Sequence, residues 1–551
     1  MKLLFFCLSM LPFFSAYAQR QPQVDFTRAE VSLAIDPAQK SVQGQVEYDF
    51  RVLQDVDSVF LDARNMDFSS VLLNGKKVKY SNMGNRVSIA KDLKSGKEYR
   101  LELDYTCTPK QTVYFSGWDD DIPDNEQVWT QGQGKYTSHW LPSFDDMEEK
   151  VEFDLNITFD ASYEVIANGA MKLDPVDAKS TAAYGSKTWH FDMDYPMSSY
   201  LLAFAIGNYN HQELRSKSGI PIKNYYYPED SLRMEPTYRY TKEIFDFLEN
   251  EIGIPYPWQN YKQIPVHDFL YAGMENTGTT IFSDGYVIDS TAFTDKNYVN
   301  VNAHELAHQW FGNLVTEKDA EHHWLHEGFA TYYAYLAEKK LFGDDYFYWK
   351  LYSTLTQLKE QVEQGNGQSL LNPKASSLTF YEKGAWALFI LRERIGDKAF
   401  QKGIRDYLRK YQFQNVTVSD FLEVMEKASN DDGAESDKRA ENASSSDLAN
   451  FKADWLSSED IPFEEAKSIL AKNSASLQQW YELQSNLKNA QGKDIDYAKY
   501  WNATPSIHLK KHLLENHIDQ LPDAIIQQAF ASDTVPVRQA LSMAKDIERF
   551  P

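Results

Sequence analysis

Hydrophobic and polar residues alternate along the first two hundred residues of the chain. Every second residue is apolar in VEFDLNITF, residues 151–159, and YRLELDYTC, residues 99–107, repeats the pattern. A period of two is typical of strands that bury one face. Asn74-Gly75 predicts a hairpin turn. The alternation therefore predicts an all-β region over residues 25–222.

The period changes in YRYTKEIFDFLENEIG, residues 238–253, where the apolar positions follow helical spacing. Helical patterns continue to about residue 428. The stretch at 428–447 is rich in Asp, Ser and Asn and predicts a flexible acidic loop or linker. We therefore expect a multidomain chain. An α-rich domain over 223–445 should follow the β region, with a short α-helical region over 455–551 at the end.

The first 18 residues have the layout of a cleaved secretory signal peptide. Lys2 precedes a short apolar run, and Ala16-Tyr17-Ala18 supplies small residues at a cleavage site. A membrane anchor is the alternative, but the run is short and Pro12 interrupts it. We expect an exported protein, periplasmic or secreted, with no stable membrane insertion.

Charge and cysteine content narrow the possible classes. The net charge of −24 and the pI of about 5.0 disfavour nucleic-acid binding, which requires a basic surface. Removal of Cys7 with the signal would leave Cys107 alone, without an intrachain disulfide. The fold must then rely on its apolar cores, and we expect a monomer.

A candidate metal site lies in VNAHELAHQWFGN, residues 301–313. His304 and His308 are four residues apart, so a helix points both imidazoles the same way. The alternative is an exposed helical turn with two histidines. The surrounding residues are apolar, however, and buried histidines beside Glu305 require partners. A Zn²⁺ ion would be such a partner.

A catalytic zinc ion usually has three protein ligands and one open position. Glu327 opens a second helical pattern after an 18-residue interval, 309–326. That interval allows the first helix to end, turn at Gly312-Asn313 and return. His322, His323 and His326 are rival third ligands. Glu305 would project near the open position and move a proton between water and a leaving amine, which is amide hydrolysis.

Together these motifs resemble the M1 family of zinc aminopeptidases, also called gluzincins. YAGMENTGT, residues 271–279, is similar to the family's exopeptidase motif, and TFYEKGAWAL, residues 379–388, to its catalytic-tyrosine segment. WTQGQGKYTSHWLPSFDD, residues 129–146, is similar to its S1-pocket loop. The resemblance is closest to the leukotriene A4 hydrolase-like branch. It implies an N-terminal β-saddle domain and a thermolysin-like catalytic domain with a small sheet.

The resemblance also implies roles for individual residues. One Zn²⁺ ion would be held by His304, His308 and Glu327, with Glu305 as general base and Tyr381 as donor to the oxyanion. Peptides with a free N-terminus would be the substrates. The substrate-binding residues would be Glu275 and Gln133 at the α-amine with Gln131 nearby, Gly273 and Met274 at the peptide backbone, and Tyr271 and Ala272 at the edge of S1.

Three positions depart from the family pattern. Ala272 stands where a glycine often opens the exopeptidase motif, and His326 stands where an asparagine often precedes the third ligand. Ala334 replaces a glutamate that often follows that ligand by seven residues. Since metal ligands are normally oriented by such partners, the sequence leaves open what orients this site.

Three other functions are compatible with parts of the pattern. An epoxide hydrolase like the eicosanoid member of that branch would need an acidic residue where Pro373 stands. A zinc endopeptidase would not need the AGMEN motif. A catalytically inactive peptide-binding protein would not need the full set of catalytic residues. Aminopeptidase activity is therefore the function that we expect.

Overall fold

The computed structural model describes residues 21–134, 136–172, 185–432, 445–489 and 495–543. The expected signal peptide lies outside the described residues, as do residues 433–444 of the acidic stretch. No helix within the described ranges is long and apolar enough to cross a membrane. Cys107 is buried and unpaired.

The N-terminal part is built from strands. Their bounds are β1 Val24–Asp36, β2 Ser41–Val52, β3 Val56–Asp62, β4 Met66–Leu73, β5 Lys76–Lys77, β6 Tyr80–Asn82, β7 Arg86–Leu93, β8 Glu98–Cys107, β9 Val113–Ser116, β10 Gln127–Thr130, β11 Lys150–Asp160, β12 Glu164–Ala167, β13 Ala170–Lys172, β14 Ser186–Asp192, β15 Met197–Ser198 and β16 Phe204–Gly207. A nine-stranded sheet has the order β13-β14-β11-β1-β2-β8-β4-β5, with β15 beside β11. Smaller sheets are β12-β16-β10-β9 and β3-β7-β6.

The alternation of the sequence corresponds to the two faces of the large sheet. In β11, Val151, Phe153, Leu155, Ile157 and Phe159 are all buried, as the period of two predicts. The hairpin turn at positions 74–75 is also confirmed, because both residues have positive φ, 49° and 70°, between the paired ends of β4 and β5.

A second, mixed sheet leads into the α-rich part. Its strands are β17 Asn210–Arg215, β18 Pro221–Tyr226, β19 Tyr261–Val266, β20 Gly273–Met274 and β21 Thr279–Ser283. They lie in the order β17-β18-β19-β21-β20. The domain boundary expected between residues 222 and 223 falls inside β18. A short pair, β22 Val315–Glu317 and β23 Gln414–Val416, lies farther along the chain.

The rest of the described chain is mainly helical. The helices are Ser231–Tyr238, Thr241–Ile252, Val299–Ala307, Trp324–Phe342, Asp344–Glu363, Gly384–Ile395, Asp397–Tyr411, Val418–Asp432, Ser445–Phe451, Phe463–Asn473, Ala475–Asn489, Tyr497–Ala503, Ile507–His517, Asp523–Phe530 and Val535–Met543. The π-helical turn Leu378–Lys383 leads into the helix Gly384–Ile395, and a second one, Lys452–Ser457, follows the helix Ser445–Phe451. The expected fold class is thus confirmed: a β-rich N-terminal part, an α-rich centre with a small sheet, and C-terminal helices.

One apolar core connects these parts. It extends through the described chain from Val24 to Leu541. Polar contacts also attach the C-terminal helices to the centre, because the Asp345 carboxylate accepts hydrogen bonds from Ser476 at 2.6 Å and Ser506 at 2.7 Å. The short C-terminal region therefore packs against the helix Asp344–Glu363.

Candidate active site

Two helices carry the residues of the candidate metal site. The HExxH helix, Val299–Ala307, contains His304 and Glu305, and His308 caps its C-terminal end. The chain then reverses at Gly312, which has a φ of +131°. A β-carbon at this glycine would lie 3.2 Å from His308 Nδ1. The chain returns through β22 into the Glu327 helix, Trp324–Phe342. The turn expected at Gly312-Asn313 is confirmed.

Three nitrogen and oxygen atoms converge between these helices. His304 Nε2 lies 3.0 Å from His308 Nε2 and 3.2 Å from Glu327 Oε2. His308 Nε2 lies 3.5 Å from the same oxygen. Two imidazoles and one carboxylate at this spacing fit a catalytic zinc ion, which takes three protein ligands and keeps a fourth position open.

The protonation of the three side chains suits a metal ion. His308 Nδ1 lies 2.9 Å from the Phe311 carbonyl oxygen, which can accept a hydrogen bond from Nδ1–H and so leave Nε2 to coordinate a metal ion. Burial lowers the pKa of His304 and thereby favours the neutral imidazole. Burial opposes ionisation of Glu327, but hydrogen bonds from the two histidines hold its pKa well below the usual range. Burial opposes a charge on His308, but its hydrogen bond to Glu327 raises its pKa to about 10, so a metal ion at Nε2 would have to replace that proton. With a metal ion bound, the three side chains would act as two neutral ligands and one anionic ligand.

Glu305 lies within 4.8 Å of a His308 ring nitrogen and is closely packed. It is 5 % exposed, and its Oε2 makes no hydrogen bond within the described residues. A β-carbon at position 273 would lie 2.4 Å from its Oε1, so any other residue there would force the Glu305 carboxylate to move. Burial raises the pKa of Glu305, which favours proton acceptance at this carboxylate.

Tyr381 enters the same cavity from a π-helical turn. Its ring is parallel to the His304 imidazole, with an angle of 1° and 5.4 Å between centroids. Lys383 anchors the turn by donating hydrogen bonds to three carbonyl oxygens, those of Gln368, Ser458 and Asp460. Burial raises the pKa of Tyr381, so the phenol keeps its proton and can donate it in a hydrogen bond.

A further carboxylate, Glu275, closes one end of the site. It is 3 % exposed, and Gln133 Nε2 donates to its Oε1 at 3.3 Å. Its backbone carbonyl accepts from Gln309 at 3.2 Å and from Asn313 at 2.7 Å. These two contacts attach the Glu275 segment to the C-terminal end of the HExxH helix.

The remaining expected substrate-binding residues lie around Glu275. Gln131 is buried and donates to the Gln133 carbonyl at 3.0 Å and to Met274 Sδ at 3.8 Å. Gly273 and Met274 form β20, an edge strand of the mixed sheet. An extended peptide can pair with such an edge.

A cavity of about 920 Å³ contains the site. Tyr271 is half-exposed at its rim, next to Ala272. Every expected site residue except the buried Gln131 lines this cavity. The cavity also includes residues that the sequence patterns did not suggest, among them Thr331, Tyr335, Lys350, Ser353, Gln357 and Glu382.

The rival histidines occupy other positions. His322 faces Asp319, with 3.8 Å between Nε2 and Oδ1. His323 and His326 both face Glu317, at 3.0 Å and 3.5 Å. Glu327 is the residue that reaches both His304 and His308. The sequence favoured Glu327 over the three histidines but did not single out Glu317, although an acidic residue shortly before three histidines was a signal for it.

Comparison with known proteins identifies the family of the chain. A family model described as "Peptidase M1 N-terminal domain" matches residues 25–201, and a second, described as "Peptidase family M1 domain", matches residues 237–455. A leucyl aminopeptidase of Saccharolobus solfataricus is 27 % identical over 79 % of this chain and 54 % of its own length. A glutamyl aminopeptidase of Sus scrofa is 30 % identical over 53 % of this chain and 32 % of its own. The chain thus spans about half or less of these relatives.

Solved structures share the fold. The M1 zinc metallopeptidase of Deinococcus radiodurans aligns with a TM-score of 0.65 at 21 % identity, over 82 % of this chain and 96 % of that one. A two-domain M1 zinc metallopeptidase variant bound to L-tryptophan gives the same TM-score over 80 % of this chain. The resemblance to the leukotriene A4 hydrolase-like branch stays a prediction. The two matched domains together cover most of the chain, which therefore belongs to peptidase family M1.

Proposed function

We propose that this chain is a zinc-dependent aminopeptidase that removes residues one at a time from peptides with a free N-terminus. One observation carries the proposal. The carboxylate of Glu275 lies within 4.8 Å of the Glu305 carboxylate and of a His308 ring nitrogen. A site for a cationic group therefore adjoins the site for water activation and the three candidate metal ligands.

The short distance between these groups fits exopeptidase chemistry. The α-amine and the carbonyl of an N-terminal residue are joined by one α-carbon. A pocket that holds both must place its anion close to the metal ligands, as Glu275 is placed. A buried carboxylate is a strong partner for an ammonium group. Gln133 Nε2 donates a hydrogen bond to Oε1 of the Glu275 carboxylate. An internal peptide bond offers no ammonium group for Glu275.

Each remaining role follows from position. His304, His308 and Glu327 would hold zinc, which would supply polarisation of the scissile carbonyl and a lower pKa of water. Glu305 accepts a proton from the attacking water and delivers it to the departing amine. Tyr381 donates a hydrogen bond to the carbonyl oxygen as negative charge develops there. Glu275 and Gln133 hold the α-amine, which aligns the first peptide bond with Glu305.

The relatives support the same activity. The two curated relatives are named as leucyl and glutamyl aminopeptidases. A variant of the Deinococcus radiodurans enzyme was solved with a Tyr-Ser-Ala substrate. The different names of the relatives leave the preferred N-terminal side chain of this chain open. Release rates from a panel of aminoacyl reporter substrates would define it.

A matched pair of peptides tests the proposal. One peptide has a free N-terminus and the other is the same peptide with an acetylated N-terminus. We expect stepwise release of residues from the free peptide and no cleavage of the acetylated one, because acetylation removes the charge that pairs with Glu275. Comparable cleavage of both peptides, or internal cuts as first products, would contradict the aminopeptidase assignment while leaving a zinc hydrolase.

Glu275→Ala gives an independent arm of the test. It should lower kcat/KM sharply on the free peptide, since both binding and alignment of the scissile bond depend on the carboxylate. Glu321→Ala, a change outside the cavity, is the matched control and should leave kcat/KM unchanged. Equal kcat/KM for Glu275→Ala and the control would remove Glu275 from amine recognition.

We also propose that the protein is exported and acts as a monomer. The signal-like layout of residues 1–18 supports export. Expression of the full chain followed by cell fractionation and N-terminal sequencing tests this proposal. A mature protein that begins at Gln19 outside the cytoplasm is the expected result. The molar mass of that product, measured by light scattering, tests whether it is a monomer.

A further inference from the structure

A second buried cluster of charged and imidazole groups adjoins the candidate zinc ligands. Glu317, at the end of β22, is 3 % exposed. Its Oε1 and Oε2 lie 3.0 Å and 3.1 Å from His323 Nδ1. The other ring nitrogen of this histidine, Nε2, lies 3.7 Å from Glu327 Oε1. An imidazole thus lies between the carboxylate of Glu317 and that of a candidate metal ligand.

The two oxygens of Glu327 consequently face different partners. Oε2 faces His304 and His308, whereas Oε1 faces His323. The approach of Oε1 to His323 is longer than a hydrogen bond, and rotation of the carboxylate would change the distances of both oxygens to these partners. His323 is itself confined, because Phe380 packs edge-on against its ring with 4.9 Å between centroids.

The position of Glu317 is also built into the backbone. Its N–H donates to His326 Nε2 at 2.8 Å, and its carbonyl accepts from Asn415 Nδ2 at 2.8 Å. β22 and β23 pair Glu317 with Val416. His326 and Asn415 therefore fix the strand end from which the Glu317 carboxylate reaches His323. His326 occupies the position where the family often has asparagine, so this departure has a structural consequence.

We propose that Glu317 and His323 are positioning residues for the zinc site. Glu317 holds His323, and His323 holds Oε1 of Glu327, so that Oε2 is presented to the metal ion. The pair performs the orienting role that the sequence left open where Ala334 replaces the family's glutamate. This inference rests on the proposed assignment of His304, His308 and Glu327 as zinc ligands.

A second metal ion at Glu317, His323 and His326 is the alternative, because ligand atoms of these three residues also lie within 4.8 Å of one another. The two arrangements predict different metal contents, one ion per chain for the positioning pair and two for a second metal site.

The zinc dissociation constant of the apo-protein tests the proposal without relying on activity. Competition against a chelator is measured for the wild type, His323→Ala, Glu317→Ala and the double variant. Loss of an outer partner typically weakens metal binding by about 10–100-fold. We expect that loss in each single variant and no further loss in the double variant, because the two residues act as one unit.

Matched variants make the result specific. His322→Ala removes the neighbouring histidine, which faces Asp319 instead, and should bind zinc like the wild type. Glu317→Gln keeps the shape of the side chain and covers the case in which an alanine variant fails to fold. It should also weaken zinc binding, and the thermal unfolding temperature of its apo-form should match the wild type.

Three results would overturn the inference. Unchanged zinc affinity in His323→Ala and Glu317→Gln would show that the pair does not orient Glu327. Losses that multiply in the double variant would show that the residues act separately. Two metal ions per wild-type chain, with one lost in His323→Ala, would identify a second metal site. His308→Ala separates these outcomes from a wrong ligand assignment, since it should abolish tight zinc binding altogether.

Discussion

Gly328 and Gly384 make a direct backbone contact between the Glu327 helix and the segment that carries Tyr381. A β-carbon added at Gly328 would lie 2.8 Å from the Gly384 Cα, and one added at Gly384 would lie 2.7 Å from the Gly328 Cα. Each distance is shorter than a carbon–carbon contact permits. The contact therefore sets the distance between Glu327, next to Gly328, and Tyr381, three residues before Gly384.

Gly384→Ala tests this contact. The added methyl group must push the two helices apart, so we expect lower kcat through misplacement of Tyr381 and a loss of about 1–3 kcal/mol in the free energy of unfolding. Gly285→Ala is the control, because its β-carbon would meet only side chains, the nearer at 3.3 Å. Wild-type kcat in Gly384→Ala would show that the helices adjust without moving the tyrosine.

Glu305→Gln should separate metal binding from catalysis. The amide keeps the shape of the side chain but cannot accept the proton from water, so turnover should be lost while zinc content stays at one per chain. Metal analysis and peptide hydrolysis on the same preparation measure the two properties. Substantial turnover with glutamine at this position would assign the base to another group.

Tyr381→Phe should remove one hydrogen-bond donor and leave the zinc ion in place. The parallel packing of the ring on His304 does not require the hydroxyl group. Loss of an oxyanion donor typically lowers kcat by about 10²–10³. Steady-state kinetics with metal analysis checks this expectation, and a kcat near the wild-type value would contradict it.

Gly273→Ala should displace the general base. Its β-carbon would lie 2.4 Å from Glu305 Oε1 and 2.7 Å from Cδ, so the carboxylate must move. We expect a strong loss of kcat with zinc retained. Gly285→Ala, the same substitution at a position outside the cavity, is the control and should retain most of the activity. Equal kcat for the two variants would show that the Glu305 side chain adapts freely.

The buried Lys262 predicts a pH-dependent contribution to stability. Its Nζ donates to the Ala167 and Gly169 carbonyls, both at 2.8 Å, and so joins β19 to the N-terminal part. Burial lowers its pKa from 10.5 to about 7. Between these values the unfolded chain binds more protons than the folded one, so the stability contributed by Lys262 rises with pH across this window and is lowest below about pH 7.

Lys262→Met removes that titration. The free energy of unfolding of the wild type minus that of the variant should therefore be more positive at pH 9.5 than at pH 6. Urea unfolding of both proteins at the two pH values measures the difference. An equal difference at the two pH values would show that this amine titrates normally in the folded state.

The sequence by itself determined the local structure and the chemistry of the site. Its period of two predicts β11, because alternate residues of a strand face one side of a sheet. The spacing of His304 and His308 places both rings on one face, since a helix returns to the same side after about four residues. Gly312-Asn313 predicts the reversal between the helices, and Glu327 was the expected third ligand on the returning helix. These features depend on residues close together in the chain.

Only the tertiary structure decided how distant segments meet. Gln133 and Glu275 are 142 positions apart, and their contact follows from the packing of two parts of the chain. The pairing of Glu317 with His323 follows from how β22 and the Glu327 helix come together, so the histidine run alone could not distinguish ligands from partners of ligands. The domain boundary expected between residues 222 and 223 falls inside β18, which pairs with β17 before it and with β19 about forty residues later in the chain. Packing across sequence distance is the physical reason in each case.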